Sequence, residues 1–345
     1  DEPREISKAC AGKTRPFYMT PLPFLIVSRM YLSPFYSQMV ENSQSFGCAV
    51  GINMHSDAQK LVDWLSGFGT DWLEGDYSSF DQLMPFDIGH AASSVVYRVL
   101  KAFGYNETAL KIVLGLMTDS LFPQIEVLND LMEVSGLQPS GKYATAEDNS
   151  LRGILIMMYI FYSKEEHSHL NFFECVRPLV YGDDMLASVK PEIRGTFDNW
   201  VYKDKCESLL NLAFTSPSKS GEMDRFVNVD TCSFLKRKFR WRQDLSHWVA
   251  PLDLNSLVKT LSWTLPSTVV SRGEQLKGAV TSVLWEVAIA FPENIYVGFK
   301  EELVSLLSRD YFLGAELEFP DYQEIIDAVF DETYSSKLVC DTPAC

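Results

Sequence analysis

No apolar run in this sequence is long enough to cross a membrane as a helix. The longest, "ILIMMYIFY" at residues 154 to 162, is about half of the roughly 20 residues such a helix needs, and no transmembrane segment is expected. Cysteine pairing is missing as well. The seven cysteines are scattered with no C-x-x-C among them, which points to reduced thiols in a cytosolic compartment rather than a disulfide framework. His167 and His169 form an H-x-H, but no nearby cysteine or third histidine completes a zinc set, so the pair reads as a solvated loop after a helix. Internal repeats and low-complexity linkers are absent. The chain opens on Asp1 with no signal-peptide pattern behind it, and is expected to be a processed product or a fragment.

Positive charge is scarce overall but concentrated. The 345 residues carry a net charge of −16, which taken alone argues against nucleic acid. Yet from Asp310 onward nine acidic residues face the single Lys337, so half of the excess comes from one terminal stretch. Against this, "TCSFLKRKFRW" holds Lys236, Arg237, Lys238 and Arg240 with no acid, and "REISKACAGKTR" holds Arg4, Lys8, Lys13 and Arg15 against Glu5 alone. Two basic strips on an acidic body suit local phosphate contacts better than a duplex-coating surface.

Helical patterns alternate with short strand-like runs, which indicates an α+β fold. Residues 85 to 103 carry an apolar stripe of helical period, with Pro85 suited to the first turn and Gly104 to the stop. "FPQIEVLNDLMEVSG" reads as a hairpin turning at Asn129-Asp130. Ser271 and Glu274 stand in capping-box spacing ahead of Leu276, Val280, Val283, Leu284 and Val287 on one face. The last third is mostly helical, and no composition break marks a boundary before about residue 245.

Aspartates supply the candidate chemistry. In "LVYGDDMLASV", Asp183 and Asp184 follow Gly182 between two strand-like runs. Two carboxylates about 4 Å apart repel by ~1 kcal/mol in water and ~4 kcal/mol at an effective dielectric near 20. A tip in open solvent tolerates that; a tip facing a cleft needs a cation. Alone, the stretch reads as an ordinary polar turn, with Pro178 suited to a strand edge or start. A second carboxylate pair, Asp76 and Asp81 in "WLEGDYSSFDQLMP", changes the balance. Asp76 ends a short strand, and Asp76, Asp183 and Asp184 together suit hard divalent cations such as Mg²⁺.

Further along, "QPSGKYATAEDNSLRG" has a flexible Pro139-Ser140-Gly141 loop entering a helix. The acidic Glu147 and Asp148 sit in its first turn, as the helix dipole favours, and Thr145 and Asn149 share a face. The G-K-T of residues 12 to 14 is not a Walker A loop, because Ser7 stands where a glycine is required and no strand precedes it. The spaced basic residues there suit a triphosphate or simply a solvated charged face.

Basic strip, D-x4-D, S-G-x3-T-x3-N, Y-G-D-D, then F-L-K-R: this series resembles the motifs of viral RNA-dependent RNA polymerases of the picornavirus-like group. The motifs span residues 1 to about 240, and the helical remainder is similar to that family's thumb in pattern only. The resemblance implies a right-hand fold of fingers, palm and thumb, with an antiparallel palm sheet packed on helices. It divides the chain into 1–72 (partial fingers with the basic strip and start of the palm), 73–88 (palm, first carboxylates), 89–134 (fingers and palm helices with a hairpin), 135–244 (palm) and 245–345 (helical thumb with an acidic tail). It implies Asp76 and Asp183 as metal ligands with Asp184 in support, holding two Mg²⁺ ions for which Mn²⁺ can substitute. Asp81 and Asn149, helped by Thr145, are implied to bind the ribose hydroxyls, an assignment consistent with what a carboxylate and an amide can hydrogen-bond. Ser140 and Gly141 correspond to a mobile loop. Arg4, Lys8, Lys13 and Arg15 correspond to the strip that neutralises the triphosphate, and Lys219 to a lysine that protonates departing pyrophosphate. Phe234, Leu235, Lys236 and Arg237 correspond to the hairpin that supports the primer end.

Two departures stand out. Ala144 occupies the family's second glycine, implying a stiffer loop, and the chain begins inside the finger strip, so an upstream bridging segment is expected to be missing. The implied partners are RNA template and primer, NTPs, a protein primer and other viral replication proteins. The implied setting is membrane-associated replication complexes in the host cytoplasm. Two alternatives stay open: a reverse transcriptase, which shares the palm but excludes the 2′-OH with a bulky side chain, and an inactive nucleic-acid-binding or scaffolding fragment.

Overall fold

The computed structural model describes residues 17–217, 222–308 and 318–330, together with Ile6, Cys10 and Gly12. Arg4, Lys8, Lys13, Arg15 and Lys219 lie outside the described residues. The longer helices are α1 (Leu22–Glu41), α2 (Ala58–Ser66), α3 (Phe86–Ala102), α4 (Glu107–Leu121) and α5 (Thr145–Tyr162). They continue with α6 (Asn199–Leu210), α7 (Leu254–Leu261), α8 (Arg272–Ala290), α9 (Glu293–Leu307) and α10 (Tyr322–Phe330). The strands are β1 (Trp72–Tyr77), β2 (Gln124–Val127), β3 (Asp130–Glu133), β4 (Val176–Tyr181), β5 (Asp184–Val189), β6 (Phe214–Thr215), β7 (Arg240–Arg242) and β8 (His247–Val249).

Two compact units divide the chain. The larger takes its described residues from Ile6, Cys10, Gly12, 17–52, 65–217 and 222–228, and the smaller from 53–64, 229–308 and 318–330. In the larger, an antiparallel sheet of order β4-β5-β1-β6 bears out the α+β expectation. Leu73 and Tyr77 of β1 face a core shared with Met185, Ala187, Val180 and Phe214 and with Ile154, Met157 and Phe161 of α5. Each such aliphatic or aromatic side chain contributes roughly 1.5–3 kcal/mol on burial. Gly75 is required here by close approach: the Phe214 ring lies where a Cβ would stand. Pro178 fits because β4 is an outer strand. The Val180 N–H points outward to Gly47 O (2.8 Å), and the N–H that proline lacks belongs to that same outer side.

Helix α3 follows the sequence pattern, with Pro85 at its N-cap, Gly104 at φ 88° after it, and Ile88, Ala92, Val96 and Leu100 buried. Two expectations are corrected. The β2–β3 hairpin turns at Leu128-Asn129, both at positive φ (54° and 71°), and Asp130 pairs with Val127 as a strand residue. A two-residue turn with both φ positive takes Asn readily, and here Asn129 fills its second position rather than its first. His167 is not solvated: it is buried, stacks on Phe161 (ring centroids 4.3 Å) and bonds to Phe161 O (2.8 Å) and Thr196 Oγ1 (2.7 Å).

Among its described residues the smaller unit is mostly helical and includes the β7–β8 hairpin. The capping box forms, Ser271 N donating to Glu274 Oε2 (2.7 Å) and Glu274 N to Ser271 Oγ (3.2 Å). Val280, Val283, Leu284 and Val287 of α8 then pack against Tyr296 of α9 and Ile325, Ile326 and Val329 of α10. Buried Arg242 donates to Ala288 O (3.0 Å) and Ile289 O (2.7 Å), satisfying carbonyls in the last turn of α8.

Candidate active site

Backbone register brings the predicted carboxylates to one end of the larger unit's sheet. Asp76 pairs directly across the ladder with Asp184, and Asp183 occupies the two-residue turn that joins Tyr181 to Asp184. Cross-strand partners of this kind have Cα atoms about 4.5–5.5 Å apart. Gly182, at φ 62°, opens that turn, and its N–H donates to Ser150 Oγ of α5 (2.9 Å). Asp183 is exposed, while Asp76 and Asp184 are half-buried. Three carboxylates at one place are a donor set of the right chemistry for a hard divalent cation. As the side chains are placed, no three His, Cys, Asp or Glu among the described residues form a group that could hold a metal.

Beside this end the structure gathers a second cluster, from segments far apart in sequence. Asn149 Nδ2 donates to Asp81 Oδ1 (2.6 Å), and Ser140 Oγ donates to Asp81 Oδ2. The Gln138 backbone N–H donates to Asp81 O (2.9 Å), fixing the loop to the short helical turn that carries Asp81. Asn149 Oδ1 is buried and has no hydrogen-bond partner. Thr145 opens α5 one turn before Asn149, with its hydroxyl on Lys142 O (2.9 Å). Gly141 sits at φ 113°, and a Cβ there would collide with Tyr18 O. Ala144 takes the left-handed conformation (φ 57°, ψ 37°), which accounts physically for a glycine at that position in similar motifs.

Asp148 plays a different part from the dipole role its position suggested. It is buried, and Gln138 Nε2 and Lys142 Nζ both reach its Oδ2 at 2.8 Å, with Arg152 Nη2 at 3.2 Å. Burial pushes this carboxyl up, but Arg152 and Lys142, with hydrogen bonds from Lys142 and Gln138, hold it well below the usual carboxylate range. Burial pushes the Lys142 ammonium down, against the pull of Asp148.

In the smaller unit, Phe234 and Arg237 close a two-residue turn at Leu235-Lys236. Phe234 is core and Lys236 is exposed. Arg237 binds Glu286 through two nitrogens (2.6 and 2.9 Å) and donates to Ala250 O (2.7 Å). Glu286 also accepts from Leu252 N (3.0 Å) and contacts His55 Nε2 (2.7 Å).

Sequence reasoning passed over Ser150, Gln138 and Lys142. Ser150 carries a faint signal, a hydroxyl directly after Asn149 and ahead of an apolar run. Gln138 and Lys142 carry none, because their partner lies across a loop rather than one helical turn away.

The antiparallel sheet, its flanking helices and the carboxylate-bearing hairpin place the chain in the right-hand polymerase fold. Over 95% of its length it is similar, with a TM-score of 0.76 and 17% identity, to the solved Sicinivirus 3Dpol RNA dependent RNA polymerase, of which it covers 65%. The model of the viral RNA-dependent RNA polymerase family matches residues 1–296, and the chain belongs to that family. Among curated relatives, the replicase polyprotein of Cricket paralysis virus is 27% identical over 339 residues, covering 94% of this chain. That of Drosophila C virus is 28% identical over 340 residues, again covering 94% of the chain. The genome polyprotein of a human hepatitis A virus is 28% identical over 246 residues, covering 71% of this chain and 11% of the polyprotein. The chain thus spans less than a fifth of the length of these relatives: 18% and 19% for the two replicase polyproteins.

Proposed function

We propose that this chain carries out RNA-templated RNA synthesis, transferring nucleotides from NTPs to a primer 3′-OH with release of pyrophosphate. The observation that carries the reading is the Asp81–Ser140–Asn149 cluster beside the Asp76–Asp184 ladder pair, the two being tied to successive residues of α5. Asn149 donates to Asp81 and Ser150 receives Gly182 N–H. The half-buried Asp81 carboxylate, oriented by Asn149 and Ser140, supplies the acceptor for a ribose 2′-hydroxyl, which DNA precursors lack.

Asp76, Asp183 and Asp184 are the residues that hold divalent cations, Mg²⁺ or Mn²⁺. Bound there, such ions supply charge neutralisation for the attacking and leaving oxygens. Lys219, through the family resemblance, delivers the proton to pyrophosphate, and Arg4, Lys8, Lys13 and Arg15 neutralise the triphosphate. Lys236 contacts primer phosphates. In this reading the activity serves genome replication and transcription at membrane-associated complexes in the host cytoplasm, with a protein primer and other replication proteins as partners.

Primer extension on an RNA template tests the reading, using this chain and a version extended to the length of the solved relative, of which it covers 65%. UTP and dTTP are compared, with Asp183→Ala as control. Template-dependent UMP addition that disappears in the variant supports the reading, and preference for dTTP replaces it with reverse transcription. RNA binding without incorporation by either folded protein replaces it with a scaffolding role.

A further inference from the structure

One buried carboxylate holds the Ser140 loop from both sides. Asp148, on the first turn of α5, receives Gln138 from the segment before Ser140 and Lys142 from the segment after it, both on Oδ2 at 2.8 Å. Arg152, one turn further along α5, backs the same oxygen at 3.2 Å, and Tyr36 OH donates to Oδ1 at 3.4 Å. The loop so held carries a backbone cost at Ala144, a non-glycine residue in the left-handed region at φ 57°. Between the two anchors Ser140 is left in one position, with its hydroxyl on Asp81. The neighbouring residue of α5, Asn149, occupies the other oxygen of Asp81. One turn of helix therefore orients Asp81 twice, directly through Asn149 and indirectly through the clamp on Ser140.

We propose that the Gln138–Asp148–Lys142 clamp sets sugar selectivity: by keeping Ser140 on Asp81 it holds that carboxylate in the orientation that reads a 2′-hydroxyl. The inference rests on the polymerase reading and assigns Gln138, Lys142 and Asp148 as positioning residues that touch no substrate. Releasing the Lys142 arm leaves the loop held by Gln138, on Asp148 and on Asp81 O, and by Tyr18 N–H on Ser140 O, and loosens the side of the loop that follows Ser140. Discrimination against deoxynucleotides then falls, while Asp76, Asp183 and Asp184, held by strand register rather than by the loop, keep their places.

Removing Asp148 strands Lys142 and Arg152 as buried cations and endangers folding, so the test uses Lys142→Met, which leaves Asp148 neutralised by Arg152. In primer extension opposite adenine, the kcat/KM ratio of UTP to dUTP is expected to fall to roughly a tenth of the wild-type value, the scale of one hydrogen bond to a charged group. Lys142→Arg, which keeps a cationic arm, restores the ratio. Amide exchange across residues 138–144 rises in Lys142→Met and returns in Lys142→Arg. Equal loss of rate with both nucleotides, or unchanged exchange in the loop, overturns the proposal, because a merely structural lysine moves both rates together. If the wild-type chain and its extended form extend no primer, that failure belongs to the polymerase reading. The clamp is then decided by calorimetric affinity for UTP against dUTP: a ratio that shifts in Lys142→Met supports it and an unshifted ratio overturns it.

Discussion

Two hairpins in this chain carry charged tips, and a buried ion pair helps to hold one of them. The β4–β5 hairpin is built into a four-stranded sheet, and its turn is tied by a backbone contact, Gly182 N–H to Ser150 Oγ. The Phe234–Arg237 hairpin exchanges its two closing backbone bonds (3.0 and 2.9 Å), receives Asp253 N–H on Lys236 O (3.0 Å), and is secured further by side chains, the Phe234 ring in the core and the Arg237 guanidinium on Glu286. Here a charge holds the fold, and only Lys236 faces outward. The two motifs therefore differ in what surrounds them: the first is carried by strands of a sheet, and in the second the Arg237 charge is committed to a buried partner.

That contrast breaks first at Asp183. Asp183→Asn is expected to lower RNA synthesis by roughly 10³-fold, several kcal/mol of charge stabilisation in the transition state, with a smaller change in melting temperature than a variant that breaks the buried Arg237–Glu286 pair. A parallel loss of melting temperature would show that the carboxylate does hold the hairpin. Arg237→Ala inverts the pattern. It leaves Glu286, with 7% of its side chain exposed, buried without its main partner, a loss of about 3–5 kcal/mol in urea unfolding. The double variant Arg237→Ala/Glu286→Leu recovers most of it. Lys236→Ala, by comparison, is expected within about 0.5 kcal/mol of wild type in stability, and to weaken primer RNA binding with a shallower salt dependence.

Acid sharpens the same comparison. Burial raises the Glu286 carboxyl, but hydrogen bonds from His55 and Arg237 and the Arg237 charge bring it from 4.5 down to about 2. A carboxyl lower in the folded state stabilises fully above its unfolded value and loses that contribution as pH falls toward the folded one. Between about pH 4.5 and about pH 2 the smaller unit is therefore expected to lose roughly 3 kcal/mol through this one group. Urea unfolding across that range measures the loss, and Glu286→Gln should remove this component of the pH slope. An unchanged slope in Glu286→Gln would place the acid sensitivity elsewhere.

Local chemistry explains what could be read from the sequence. Helices α3 and α8 follow from period and caps, because Pro85, Gly104, Ser271 and Glu274 act on their own neighbours. The order of the carboxylate motifs suggested that Asp76 and Asp184 meet, and strand register brings them into partnership. What stayed hidden depends on partners distant in the chain. Nothing near Arg237 reveals Glu286, 49 residues away, so the motif gives no sign that Arg237 also anchors its hairpin in the fold. Asp148 looked like a dipole-favoured acid until Lys142 was found against it across the loop. His167 looked solvated because stacking on Phe161 and a bond to Thr196 leave no periodic trace.

The smallest effect concerns the turn backbones. Gly182 has glycine at φ 62°, whereas Leu235 and Lys236 occupy the left-handed region at 54° and 59°. Side chains other than glycine and asparagine carry a cost there of roughly 1–2 kcal/mol per residue. Leu235→Asn is accordingly expected to raise the stability of the smaller unit by about 0.5–1 kcal/mol, since Asn accepts the left-handed region and Lys236 stays in place. Gly182→Ala is the mirror experiment: a Cβ at that position meets nothing within 4 Å, so its whole cost, about 1–2 kcal/mol, is backbone strain. Chemical unfolding of the two variants reads both signs. If Gly182→Ala proves neutral, the sheet absorbs the strain and that hairpin is held more firmly than its turn requires. If Leu235→Asn destabilises instead, the half-buried Leu235 side chain contributes more by packing than its backbone costs.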